Sequence, residues 1–117
     1  ENSTGADQSI ELNSLYFGQA SPSLTFQSRV RYATTWERFK VQVKEDGDSS
    51  TWQDVFSQSG TNSPGEPAFT LRSAALTAMA GKAFRIRFLL DHTGSFYQGY
   101  TGNDFGWFID AISFSNV

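Results

Sequence analysis

Apolar and polar residues alternate over long stretches of this chain. Leu24, Phe26, Val30 and Tyr32 fall on one parity, and Thr25, Gln27, Arg29 and Arg31 on the other. That period of two predicts a half-buried strand. The pattern repeats with Phe39, Val41 and Val43 against Arg38, Lys40, Gln42 and Lys44. It returns with Phe84, Ile86, Phe88 and Leu90 against Ala83, Arg85, Arg87 and Leu89. A turn at residues 46–50 predicts a hairpin over 37–57, whose return arm carries Trp52, Asp54 and Phe56 on one parity. Ile10, Leu12 and Phe17 mark a first short strand, and Phe69 with Leu71 another. Residues 73–81 alone have helical composition, enough for one turn closed at Gly81. Residues 58–67 and 93–104 are rich in Gly, Ser or Asn and read as loops. The chain is therefore expected to be all-β: an antiparallel two-sheet sandwich of about seven or eight strands around Phe26, Val41, Phe88 and Ile112. Residues 1–7 read as a flexible N-terminal segment and 8–117 as a single domain.

The last strand-like run, residues 105–114, sets one carboxylate among aromatic and β-branched residues. Strict alternation places Phe108, Asp110, Ile112 and Phe114 on one face. If that face is the core, Asp110 is buried and needs a cation, a metal or several N–H donors. The plainer solution is backbone N–H groups or an arginine such as Arg31, Arg85 or Arg87. The sharper one is a structural calcium (Ca2+), with Asp110 as ligand and Glu37 and Asp7 as companions, since calcium takes six to eight oxygens. No EF-hand spacing occurs; Asp46-Gly47-Asp48 lacks the later Gly and Glu.

Composition narrows the chemistry. The 117 residues include 11 Phe, 4 Tyr and 3 Trp, which favours strands. A net charge of −3 without a basic cluster argues against nucleic acid. No apolar run is long enough for a spanning helix, so no membrane is expected. The absence of cysteine excludes disulfides, thiolate metal sites and a cysteine nucleophile. The opening Glu1-Asn2-Ser3 has neither an initiator Met nor a leader, so the chain is expected to be a module excised from a longer protein. His92 is the sole histidine, and Asp91, His92 and Ser95 make a poor triad without a nucleophile elbow. Asp91, Asp104 and Asp110 have little room for a glycosidase cleft. No enzyme is expected. The long glycine-rich connection 93–104 holds Phe96, Tyr97 and Tyr100, with Phe105 beside it. Such rings stack on sugars or anchor proteins, or else fold back to cap the sandwich. Trp36, just before a strand, joins them as a candidate contact; Trp52 and Trp107 read as core.

The order of segments resembles the MAM-like, galactose-binding-like jelly-roll modules of secreted bacterial multidomain proteins. The matching pieces are Leu24-Thr25-Phe26 with Arg31-Tyr32; Val41-Gln42-Val43 before an Asp-Gly turn and Thr51-Trp52; Ala80-Gly81-Lys82 before Arg85-Ile86-Arg87-Phe88; and Gly106-Trp107-Phe108-Ile109-Asp110-Ala111-Ile112. The second Asp of the family's final motif is Ala111 here, and the turn departs from Asp-Gly-Gly. The resemblance implies a jelly roll and a secreted, non-catalytic module. Its implied partners are a carbohydrate or protein ligand and the neighbouring domains of the parent chain. The alternative is a structural or protein-interaction module supporting a catalytic neighbour, a peptidase or glycosidase. Fold alone does not choose between them.

Overall fold

A computed structural model describes residues 8–31, 33, 35–47, 51–62, 65–92 and 107–117. The alternating runs become strands: β1 (Gln8–Glu11), β2 (Tyr16–Phe17), β3 (Ser23–Val30), β4 (Glu37–Glu45), β5 (Gln53–Ser59), β6 (Thr70–Ala75), β7 (Ala83–His92) and β8 (Trp107–Ser115). They form two antiparallel sheets, β1-β7-β4-β5 with β2 also on β7, and β6-β3-β8. Among the described strands, only β4–β5 is a hairpin within one sheet; the later connections pass from sheet to sheet. This is the two-sheet sandwich that the alternation implies. The stretch of helical composition is shared between β6 and a 3-10 turn at Thr77–Met79. No helix among the described residues is long and apolar enough to cross a membrane.

The core is the inward parity of β3, β4 and β7. Leu24, Phe26, Val41, Val43, Phe84, Ile86 and Phe88 are buried there, joined by Leu76 and Met79. Each such side chain contributes about 1.5–3 kcal/mol of burial. Phe26 meets Phe56 and Phe88 edge-on, with ring centroids 5.3 and 5.6 Å away. Trp107 leans on Phe39 at 5.3 Å, and its indole N–H donates to the buried Ser28 hydroxyl at 2.8 Å. That bond satisfies both polar groups inside an apolar layer.

β8 departs from strict alternation. Thr25 pairs with Ser113 and Gln27 with Asp110, so Phe26 alone faces both Ala111 and Ile112. The extra residue, Ala111, has φ 51°. A bulge of this kind switches the parity of everything beyond it. Trp107 and Ile109 therefore point inward before it and Phe114 after it, while Phe108 and Asp110 face solvent. Ile112, expected in the core, is exposed at the edge of the sheet.

The edge between β5 and β6 is closed by a polar plug. Glu66 donates its backbone N–H to the Val30 carbonyl at 2.7 Å, and its Oε1 accepts the Val30 N–H at 2.7 Å. Its Oε2 accepts from Arg72 Nη2 at 2.6 Å and Gln58 Nε2 at 2.9 Å. Its carbonyl accepts from Arg29 Nε and Arg31 Nη1. Arg72 lies opposite Phe26 on the inward parity of β6, so Glu66 neutralises a guanidinium set between the sheets. Gly65 makes the approach possible: at φ +82°, a Cβ there would lie 2.4 Å from the Arg31 carbonyl carbon.

Glu66→Ala is expected to lower the unfolding free energy by about 3 kcal/mol, because it strands the Arg72 charge and the Val30 N–H. Denaturant titration measures this, with a smaller loss expected for Glu66→Gln. Ala111→Gly is expected to stabilise the fold by about 1 kcal/mol by relieving a left-handed backbone. An unchanged or lower midpoint for Ala111→Gly would show that the bulge is not strained.

Candidate functional site

The structure gives each sheet an outer face, and the two differ in kind. On the five-stranded sheet, Lys40 Nζ lies 3.1 Å from Asp91 and 3.3 Å from Asp54. Asp54 also accepts from Gln42 Nε2 at 2.6 Å, and Gln42 Oε1 accepts from Arg87 Nε at 2.7 Å. Arg87 stacks over Trp52 at 4.5 Å, with Lys44 at 5.5 Å from the same ring. The donors and acceptors of this row are directed at one another. Trp52, expected in the core, is instead half-buried under these cations on the outer face.

The outer face of the three-stranded sheet is organised differently. Leu71 (62 % exposed) stands beside Gln27, and Asp110 flanks Gln27 on the other side. One pair further along, Phe108 (43 % exposed) stands beside Arg29. Phe69 (45 % exposed) continues the parity of Leu71 one residue before β6 begins. Two rings and a leucine thus interleave with an arginine, an amide and a carboxylate on a backbone held by ladder bonds at both flanks of β3. This combination offers flat apolar contact together with directional hydrogen bonds.

The expected site residues are placed as follows. Asp110 is not a core carboxylate. It is exposed, and its Oδ1 accepts the Ala111 N–H at 2.8 Å, fastening the bulge. The parity switch at Ala111 is the physical reason, and it removes the burial argument that pointed to calcium there. Glu37 is buried at the start of β4, in the other sheet from Asp110. Asp7 lies outside the described residues. Among the described residues, no three His, Asp or Glu side chains gather as a metal-ligand set. Trp36 is exposed (52 %) immediately before β4. Phe96, Tyr97, Tyr100, Phe105, Ser95 and Asp104 lie outside the described residues.

Phe108, Leu71, Phe69 and Gln27 were not singled out by sequence reasoning as contacts. The signal was present in part, because Gln27 and Arg29 share the polar parity of their strand. Phe108 was hidden by the bulge, and Phe69 with Leu71 read simply as a short strand. No family model matches the chain, and no curated protein or solved structure matches it.

The position of Lys40 between two carboxylates raises its pKa above the ordinary lysine value, chiefly through the hydrogen bond to Asp91 and against the effect of burial. A raised folded-state pKa means the stabilisation is complete below the unfolded-state pKa and fades as pH rises through the folded one. The stability gap between wild type and Lys40→Gln is thus expected to be about 1 kcal/mol and flat up to about pH 10, then to shrink at higher pH. Paired urea melts from pH 7 to 11 measure it; a gap that widens above pH 10 contradicts the assignment.

Proposed function

We propose that this domain is a non-catalytic recognition module of a secreted multidomain protein, and that it binds carbohydrate on the outer face of the three-stranded sheet. The observation that carries the reading is the interleaving of exposed Phe69, Leu71 and Phe108 with Gln27, Arg29 and Asp110. A pyranose ring has an apolar C–H face and a rim of hydroxyls. The apolar face matches an exposed aromatic ring, and the rim matches short polar side chains on neighbouring strands. Position adds support: Phe108 lies next to the first residue of β8, at the end of the sandwich where β4 begins after Trp36.

A second reading, docking of a neighbouring protein domain, rests on the opposite edge. Ile10 pairs with the core residue Phe88 on β7, yet is 68 % exposed on the edge strand β1. Ile112 at the edge of β8 is exposed as well. Inward-facing apolar residues left uncovered at a seam are what a protein partner would bury.

The readings separate experimentally. A glycan-array screen of the domain is followed by calorimetry on Phe108→Ala/Leu71→Ala with any hit. Loss of about 1 kcal/mol per removed contact, with an unchanged melting temperature, is the expected result. Undiminished binding would move the site off this face. An array without hits, together with capture of the parent chain's adjoining domain through Ile10 and Ile112, would favour the docking reading.

A further inference from the structure

Resting on the carbohydrate reading, we infer that the preferred ligand is an acidic glycan of the uronate type, and that Arg29 is the residue that selects it. Phe108 and Arg29 are registered opposite each other across β8 and β3. Directly opposed side chains have Cβ atoms roughly 5 Å apart, about the width of one pyranose ring. A sugar lying flat on Phe108 thus brings a ring-edge carboxylate to the Arg29 guanidinium. Gln27 and Asp110, the next pair along, are in place for hydroxyl groups.

Arg29 is suited to the task by what surrounds it. Its Nε donates to the Glu66 backbone carbonyl, not to a carboxylate. The Glu66 carboxylate is already taken by Val30, Gln58 and Arg72. Lys40, Arg72, Lys82 and Arg85 each have a carboxylate partner. Among the described residues Arg29 has none, and it stands beside an exposed aromatic ring. The Nε bond anchors the planar head, and a guanidinium held this way retains donors suited to a bidentate carboxylate. Among the described residues, Asp110 is the one carboxylate on the face. A net charge of −3 opposes non-specific attraction of polyanions, so any preference for an acidic polymer must arise locally. A protein ligand is less well matched, because a stable protein interface needs about 800 Å² per partner and the apolar residues on this face are few.

The test uses polygalacturonate and its fully methyl-esterified form, which share a backbone and differ in charge. Binding is measured by affinity electrophoresis and calorimetry for the wild type, Arg29→Gln, Arg29→Lys and Phe108→Ala. The wild type is expected to bind the acid at least about tenfold more tightly than the ester, the value of one charged hydrogen-bonded pair. Arg29→Gln should lose that preference, Arg29→Lys should keep part of it, and Phe108→Ala should weaken both polymers. Thermal melts verify that the variants fold. Equal wild-type binding of acid and ester, lost in Phe108→Ala, overturns the acidic preference and leaves the carbohydrate reading standing. Acid binding that survives Arg29→Gln overturns the role of Arg29. Failure of the wild type to bind polygalacturonate, alginate and hyaluronan overturns the inference outright, and the neutral glycans of the array then decide the broader reading.

Discussion

The carboxylate of Glu66 holds one side of this sandwich together. Two sheets packed face to face leave seams at both lateral edges, and a seam must be closed by side chains or by a crossing segment. Here the chain crossing from β5 to β6 brings Glu66 against Val30, Gln58 and Arg72. The arginine faces inward and is only partly exposed, so its charge would be costly if unpaired. Gln58 Oε1 and Arg72 Nε are enclosed without a partner among the described residues, so the plug hangs on the single glutamate. The same residue ties down Arg29 and Arg31 through its carbonyl. One loop residue thereby joins the closure of the core to the geometry of the outer face.

The bulge at Ala111 does the equivalent work for β8. Without it, Trp107 and Phe114 could not both face the interior, because they lie on opposite parities. Trp107 is needed inside, where it meets Phe39 and Phe88 and reaches Ser28. Phe114 is needed inside as well, where it lies 4.6 Å from Tyr16. An extra residue reconciles the two, and Asp110 braces the turn through the Ala111 N–H. Phe108 and Asp110 are thereby left on the solvent face, opposite Arg29 and Gln27 respectively.

The two outer faces differ in hydrogen-bond supply. On the five-stranded sheet, Asp91, Lys40, Asp54, Gln42 and Arg87 form a continuous row capped by Trp52. A ligand there would have to displace bonds already made. On the three-stranded sheet, exposed apolar groups stand beside polar ones whose partners are few. The physical cost of admitting a ligand is correspondingly lower on that face.

Sequence by itself determined the class of fold and most of the core. The alternation of β3 is uninterrupted and that of β4 and β7 breaks at Gln42 and Leu89, which are buried on the outward parity, so local parity and burial largely agree, and Phe26, Val41 and Phe88 are interior as the pattern requires. It also determined that Arg29 and Gln27 lie on the polar parity of β3. Tertiary structure alone decided where alternation breaks. The bulge in β8 answers a packing demand from Trp107 and Phe114 that no single strand records, and it turned Asp110 from an expected core carboxylate into a surface one. Trp52 moved outward for a related reason: the β4–β5 register shifts beyond Val41, and two cations on neighbouring strands stack on its ring. The Glu66 plug was equally unreadable, since its partners stand up to 37 residues away along the chain. Period-two pattern is a property of one strand, whereas seams, bulges and faces arise only when strands meet.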